Sequence, residues 1–277
     1  MTNQNTLHIP VLSKYDFGFF RTPGPGLGNL LFPMSRALIG AHLSGGTFVC
    51  PTIRQFKLGP YLRNEPDKRT YGDVFKARSQ TELSQWAYSK FKSGIDEDVV
   101  SQSTKRPSAI RYSGLKNYFH DLKGHNEIIS DWINQKANFT GATNEDYDIA
   151  VHIRLGDFAP YIEGSSASNM RLPFSWYRDA MNAALEELGF NSAKILIFTD
   201  AREGEVSNLR NEWNANIDTS SNAITSILRL SRAKVIISSR STFSMWGAYL
   251  GKSKCIWDKD FDVKASYPTS RDRDIFL

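Results

Sequence analysis

Short apolar runs alternate with helix-like segments in the second half of the chain, and this alternation most limits the fold. The runs Asp148–Arg154, Ala193–Thr199 and Ala233–Ser239 are mostly apolar, as expected for parallel strands that are covered on both faces. Pro173–Gly189 predicts a helix, because Pro stands near its start and Gly at its end. The same half predicts helices over Glu203–Trp213, Asn222–Arg232 and Phe243–Leu250, and a last strand over Lys254–Trp257. This order is typical of a doubly wound α/β domain.

The first half opens in a similar way, but its pattern is weaker further on. It predicts, in chain order, a strand over Asp16–Arg21, a glycine-rich turn over Pro23–Gly28, a helix over Asn29–Leu43, a strand over Thr47–Cys50 and a helix over Ser79–Gln102. The polar stretch Thr140–Asp146 separates the two halves. We therefore expect two domains, residues 1–145 and residues 146–277.

The composition fits a folded protein and excludes a dedicated nucleic-acid binder. Apolar residues make up 40% of the chain and charged residues 23%. The net charge of +5 is modest, and the basic and aromatic residues are not interleaved in a stripe. Three uses of the positive charge stay open: a site for an anionic substrate, peripheral contact with an anionic membrane surface, and ordinary solvation.

The sequence contains no signal for a metal, a disulfide or secretion. Cys50 and Cys255 lie far apart in strand-like runs, so we expect two buried free thiols. The five histidines lack metal-ligand spacing, and no metal is expected. Without an apparent signal peptide or membrane span, the expectation is a cytoplasmic enzyme, at most peripheral at the inner membrane face.

Polar side chains gather where three of the predicted strands end. Arg154 closes the first strand, Asp200 follows the second, and Ser239, Ser241 and Thr242 close the third and open a helix. The carboxyl ends of parallel strands form the ligand crevice of an open sheet. Arginine matches phosphate oxygens, a helix start offers N–H groups to an anion, and an aspartate accepts from a ribose or a base. The pattern predicts a nucleotide diphosphate site.

Each of these residues also has a purely structural interpretation. Arg154 could form an ion pair with Asp157, and Ser241 could simply cap its helix. His152 shares the strand face of Arg154, but a histidine inside a strand is often a core residue. The glycine loop, taken alone, indicates only a tight turn.

Four blocks of the chain resemble the α-1,2/α-1,6/O-fucosyltransferase superfamily, and most of all its α-1,2 branch, glycosyltransferase family 11. His152–Asp157 (HIRLGD) resembles the motif H-x-R-R-G-D, and Pro25–Asn29 (PGLGN) resembles the early loop G-G-L-G-N-Q. Ser241–Leu250 (STFSMWGAYL) is similar to the block S-S-F-S-W-W-G-A-W-L, and Phe198–Asp200 stands where the family has F-S-D-D. The order and spacing of the blocks agree along most of the chain.

The resemblance implies a GT-B-like fold, in which two Rossmann-like domains face a central cleft. The N-terminal domain would take the glycan acceptor and the C-terminal domain the nucleotide-sugar donor. The implied reaction moves fucose from GDP-fucose to an acceptor hydroxyl with inversion and without a metal, in bacterial surface polysaccharide or oligosaccharide synthesis. A transferase for another nucleotide sugar and a non-catalytic binding relative stay open.

The resemblance also assigns roles to residues. Arg154 would hold the pyrophosphate, and Asp157 and His152 would act with it in catalysis. Apart from the resemblance, Asp157, Glu163 and His152 are candidates for the general base, and the alternative role of Asp157 is to orient Arg154. The residues expected to bind the donor are Gly26, Gly28, Asn29, His152, Arg154, Asp200, Ser239, Arg240, Ser241, Thr242 and Phe243. The chain departs from the family pattern at Leu30, Leu155, Ala201, Arg240 and Met245. Arg240 is expected to restore the positive charge that is missing at Leu155.

Overall fold

A computed structural model describes residues 5–62, 68–103, 106–141, 146–190, 192–202 and 204–277. The chain divides into two compact units. The N-terminal unit comprises Met1–Leu58 and Arg69–Asn138, and the C-terminal unit comprises Gly59–Lys68 and Phe139–Leu277. The predicted boundary between residues 145 and 146 adjoins residues outside the described ranges and stays a prediction.

Each unit has its own parallel sheet with helices packed against it. The strands are β1 (Leu7–Pro10), β2 (Thr47–Phe48), β3 (Ile95–Asp96), β4 (Ala109–Tyr112), β5 (Ile149–Ile153), β6 (Ile195–Thr199), β7 (Asn216–Ile217), β8 (Val235–Ile237), β9 (Lys254–Trp257) and β10 (Asp274–Phe276). The helices are α1 (Leu27–Ser44), α2 (Gly59–Leu62), α3 (Gln80–Ser89), α4 (Asn126–Lys136), α5 (Phe174–Leu188), α6 (Ser207–Glu212), α7 (Ala223–Leu230) and α8 (Thr242–Leu250). Short 3-10 turns cover Glu97–Gln102, Tyr118–Leu122 and Val263–Ala265. The predicted α/β class, with Rossmann-like parallel sheets, is confirmed.

The six-stranded sheet of the C-terminal unit has the order β10-β9-β8-β5-β6-β7, and all its pairs are parallel. Its central strand β5 is buried along its whole length, which is why its sequence is mostly apolar. Helix α5 ends at Gly189, whose φ of 64° is left-handed, as the Gly at the end of the predicted helix implies. The predicted elements of this half are present, with bounds shifted by a few residues. The prediction that Lys254–Trp257 is the last strand is wrong, because β10 follows it and pairs with it, and the short strand β7 was not predicted. Glu203, the predicted start of α6, lies outside the described residues.

The four-stranded sheet of the N-terminal unit has the order β2-β1-β4-β3. The predicted strand over Asp16–Arg21 is wrong, because these two residues form only an isolated antiparallel bridge and the sheet instead begins with β1. The long helix predicted over Ser79–Gln102 is confirmed only in part, because Ile95–Asp96 forms β3 and Glu97–Gln102 a 3-10 turn. The helix ends at Ser89, and Gly94 then packs against Arg111 of β4 so closely that an added Cβ would lie 2.9 Å from that side chain.

Two further observations concern the whole described chain. Cys50 and Cys255 are free and buried, as predicted. Within the described ranges, the helices are too short or too polar to cross a membrane.

Candidate functional site

The strand order of the C-terminal sheet reverses at β5. Strands β6 and β7 lie on one side of β5, and β8, β9 and β10 lie on the other. A ligand crevice forms at such a switch point, outside the carboxyl ends of the strands. The register pairs Ile153 with Thr199 and Val151 with Ile237, so the residues that follow the three strands meet at one edge. These residues are Arg154, Asp200, Ser239, Arg240 and Ser241.

Arg154 lies between two carboxylates at this edge. Its Nη1 is 2.7 Å from Oδ2 of Asp200, and its Nη2 is 2.5 Å from Oδ1 of Asp157. Asp200 also accepts a 2.8 Å hydrogen bond from the N–H of Leu155, which fixes its orientation. The ion pair with Asp157 is therefore formed, as the structural interpretation of the sequence allowed. The Asp157 side chain is 39% exposed and that of Asp200 only 18%, so Asp157 is the partner of Arg154 that is more accessible to solvent.

His152 is buried beneath this edge. Its Nδ1 is 2.8 Å from the hydroxyl of Ser239, and its ring stacks on Phe243 with the centroids 5.0 Å apart. Burial lowers the pKa of His152 far below its ordinary value, and the charge of Arg154 lowers it further. The imidazole is therefore neutral at pH 7 and can offer a hydrogen bond, but not a positive charge, to a ligand.

This burial predicts a pH dependence of stability. The unfolded chain takes up a proton on His152 near pH 6.5, whereas the folded protein does so only at much lower pH. Acidification below about pH 6.5 therefore favours the unfolded state. His8 acts in the same direction, since burial and then Arg106 lower its pKa to about 4. Each histidine contributes a slope of at most about 1.4 kcal/mol per pH unit to the free energy of unfolding.

Urea unfolding between pH 8 and pH 5 measures this effect. The free energy of unfolding should fall with decreasing pH, less steeply in His152→Gln, and less steeply still when His8→Gln is added. Equal slopes in the wild type and the double variant would show that the folded protein binds these protons as easily as the unfolded chain does.

Helix α8 presents its N-terminus to the same edge. Ser241 is its N-cap, and its hydroxyl accepts from the N–H of Phe243 at 3.2 Å. The first turn contains no acidic residue, so the positive end of the helix dipole is not neutralised from within the helix. Thr242 is the first helical residue and is half-buried. Capping and anion binding can coexist at such a helix start.

Arg240 is almost completely buried, and its guanidinium is hydrogen-bonded to other groups of the protein. Its Nε is 2.5 Å from Oδ2 of Asp258, and its Nη1 donates to the carbonyls of Ser165 and Ala167 at 2.5 and 3.0 Å. These bonds tie the loop after β5 to the ends of β8 and β9. The charge of Arg240 is thus already paired, and its predicted contact with a donor stays a prediction. Leu155, which it was expected to complement, packs into the hydrophobic core.

The glycine-loop residues Gly26, Gly28 and Asn29 belong to the N-terminal unit, where α1 begins. Gly26 is the N-cap with φ −66° and ψ 163°, which any residue can adopt. A Cβ added there would meet only the Tyr71 hydroxyl, at an ordinary 3.8 Å. The fold therefore does not require glycine at position 26, and the contact of these three residues with a donor stays a prediction.

Two residues that the sequence analysis did not identify support the edge. Asp258 follows β9 as Asp200 follows β6, so the rule of polar residues at strand ends could have found it. Arg171 donates to the carbonyls of Phe158 and Gly156 at 2.9 and 3.1 Å and holds the loop that follows Arg154. No sequence pattern marks Arg171. Glu163, a candidate base, lies exposed on this loop.

Comparison with known proteins gives structural neighbours only. No protein-family model matches the sequence, and no curated protein matches it significantly. The fucosyltransferase NodZ from Bradyrhizobium is 10% identical, with 89% of this chain and 94% of that chain covered and a TM-score of 0.45. An Arabidopsis thaliana FUT1 mutant in complex with GDP is 12% identical, with 91% and 69% covered and a TM-score of 0.47. POFUT1 in complex with GDP-fucose is 11% identical, with 100% and 98% covered and a TM-score of 0.46.

These similarities are remote, so we argue the function from the residues of this chain. In the described part of the chain, no group of three or more His, Cys, Asp or Glu side chains is placed to hold a metal ion. Metal independence stays a prediction.

Proposed function

We propose that this protein is an inverting glycosyltransferase that moves fucose from GDP-fucose to a hydroxyl of a glycan acceptor, in the synthesis of a bacterial surface polysaccharide or oligosaccharide. One observation carries the proposal. Arg154, Asp200 and the start of α8 meet at the switch point of the C-terminal sheet, and they belong to the same blocks that resemble the fucosyltransferase motifs.

The proposed donor site is suited to a diphosphate that becomes a leaving group. As the bond between the anomeric carbon and the phosphate oxygen breaks, negative charge develops on GDP. Arg154 and the positive end of the α8 dipole stabilise that charge from fixed positions, so no metal is needed. Asp200 keeps Arg154 oriented, because it also binds the N–H of Leu155.

The acceptor oxygen attacks the opposite face of the anomeric carbon and gives its proton to a base. Asp157 is our first candidate, since it lies beside Arg154 and is released when the diphosphate takes its place. His152 is the weakest candidate, because burial lowers its pKa and makes it a poor proton acceptor. Glu163 is exposed on the loop that follows Arg154.

Two departures from the family motifs favour alternative functions. Leu155 and Ala201 stand where the family carries an arginine and an aspartate, and both pack against the core. Because Arg240 is already paired with Asp258, it does not replace the missing charge. The alternatives are a transferase for another nucleotide sugar and a protein that binds nucleotide or carbohydrate without turnover.

Calorimetric titration with GDP and with UDP in the presence of EDTA tests the proposal. We expect GDP to bind at least about tenfold more tightly than UDP, since a mismatched base leaves polar groups of the pocket unpaired. Preference for UDP would overturn the fucosyl assignment. GDP binding without turnover of GDP-fucose, even by slow hydrolysis, would leave the two alternatives, and turnover of GDP-mannose would then distinguish a transferase for another sugar from a non-catalytic binder.

A further inference from the structure

Two pockets of the N-terminal unit are lined by positively charged side chains. The first basic pocket is lined by Arg54, Lys76, Arg78 and Lys136, and the described residues add no carboxylate to its wall. The second basic pocket is lined by Lys14, Arg21, Lys90 and Arg111, with Asp16 as the acidic member of the described lining.

Two cations of the first pocket, Lys76 and Arg78, donate hydrogen bonds to backbone carbonyls. Arg78 donates to the carbonyls of Cys50 and Gly18, and Lys76 donates to the carbonyl of Gln135 at 2.8 Å. Carbonyl partners satisfy the donors but do not cancel the charge. Lys136 differs, because it forms an ion pair with Glu82 at 2.5 Å.

The second pocket lies where the N-terminal sheet also reverses its strand order. Strand β1 pairs with β2 on one side and with β4 on the other, and residues from the ends of β1 and β4 line the pocket. The carboxyl edge of a parallel sheet at such a point is where ligands of α/β proteins bind. The position of the pocket is therefore that of a binding site.

Arg21 is the unusual residue of this second pocket. Only 1% of it is exposed, and its Nη1 donates to the carbonyl of Thr22 at 3.3 Å. Within the described residues, Nε and Nη2 have no hydrogen-bond partner. A buried guanidinium normally has a carboxylate partner, because the loss of water around the charge is costly.

Asp16, the acidic residue of the described pocket lining, is already engaged by other groups. Asp16 accepts from the N–H of Gly18 and from the indole N–H of Trp86, each at 2.9 Å. Burial lowers the pKa of Arg21 to about 10, so the side chain is still charged at pH 7. The charge of Asp16 raises the pKa of Arg21, but Nε and Nη2 of Arg21 have no hydrogen-bond partner among the described residues.

Aromatic rings accompany the cations in both pockets. Phe75 and Trp132 line the first pocket with their ring centroids 5.3 Å apart. Trp86 lines the second, and the ammonium of Lys90 lies 4.6 Å from its ring centroid. Aromatic faces pack on the apolar faces of sugar rings, whereas a site for a free inorganic anion needs none.

We propose that the two basic pockets bind the negatively charged groups of an acidic glycan acceptor, with Arg21 as the buried anchor; this inference rests on the proposed transferase function. The acceptor class is then an oligosaccharide that carries carboxylate, sulfate or phosphate groups. The negative charge of the glycan completes the hydrogen bonding of Arg21 and lies among the remaining cations, while its sugar rings pack on the aromatic side chains.

The test is binding of the full chain to an array of defined oligosaccharides, in which each neutral member has uronate, sulfate and phosphate counterparts. We expect the acidic members to bind, and Arg21→Gln to weaken them by about tenfold or more, because hydrogen bonds between charged groups are stronger than neutral ones. Since Arg21 is buried, the exposed pocket residue Lys76 provides a second variant, Lys76→Gln. Lys252→Gln, an exposed lysine of the C-terminal unit, is the charge-matched control.

Three results would overturn the inference: neutral glycans bound as well as acidic ones, no glycan bound, or acidic glycans bound equally by the wild type and both pocket variants. A loss of GDP affinity in Arg21→Gln or Lys76→Gln would assign the pockets to the donor and would also overturn it. GDP binding by the wild type is measured in parallel. Its absence contradicts the proposed function, whereas intact GDP binding without selection for acidic glycans contradicts only the pockets.

Discussion

Arg154→Ala is expected to lower the turnover of GDP-fucose by at least about a hundredfold, the usual effect of removing a fixed donor that stabilises developing charge. Arg154 lies at the carboxyl edge of the C-terminal sheet, and its side chain is still 21% exposed. Its removal also leaves Asp157 and Asp200 facing the diphosphate without a positive charge between them. The affinity for GDP should therefore fall as well.

Steady-state kinetics and GDP calorimetry on the same preparations measure both effects. Arg178→Ala is the matched control, because Arg178 forms an ion pair with Glu212 on the surface of the same unit. Thermal unfolding of both variants shows whether the fold is kept. Near-normal turnover in Arg154→Ala would refute the role of this residue and, with it, the proposed site.

Arg240→Met is expected to destabilise the protein by about 3–5 kcal/mol, the typical cost of breaking a buried ion pair by removing one partner. Arg240 and Asp258 are both almost fully buried, with 0% and 4% of their side chains exposed. The variant would leave the Asp258 carboxylate buried without its partner. The loop carbonyls of Ser165 and Ala167 would lose their donor as well.

Urea unfolding of Arg240→Met and of the double variant Arg240→Met/Asp258→Leu measures how much of the lost stability comes from the unpaired charge and how much from altered packing. The double variant should recover much of the loss, since no buried charge remains. Arg178→Ala again serves as the control, and it should change stability by less than about 1 kcal/mol, as exposed pairs do. A loss below about 1 kcal/mol in the single variant would mean that water reaches Asp258.

The fold of the C-terminal unit could be predicted from the sequence because its strands are buried on both faces. A strand such as β5 must be mostly apolar, and such runs are readily recognised between helical segments. The same reasoning places Arg154 and Asp200 at one edge, since parallel strands end on the same side of a sheet. The ion pairs of Arg154 with Asp200 and with Asp157 depend on side-chain geometry that the spacing of residues in the sequence does not contain.

The N-terminal unit was harder to predict for a physical reason. Its strands β1, β2, β3 and β4 contain two to four residues each, too few for a periodic signal. The aromatic segment Asp16–Arg21 has strand-like composition, but its backbone forms isolated bridges and no ladder with a neighbouring strand. Composition alone cannot distinguish it from a strand.

Local sequence thus determined the α/β class, the strand ends and the chemistry gathered at one edge of the C-terminal sheet. Tertiary structure decided which of these groups keep their charge for a ligand. His152 is neutral because burial removes the water around it. Arg240 is paired with a carboxylate 18 residues away. Two nitrogens of Arg21 have no hydrogen-bond partner among the described residues. Charge state and pairing depend on distance and solvation, which arise only when remote segments pack together.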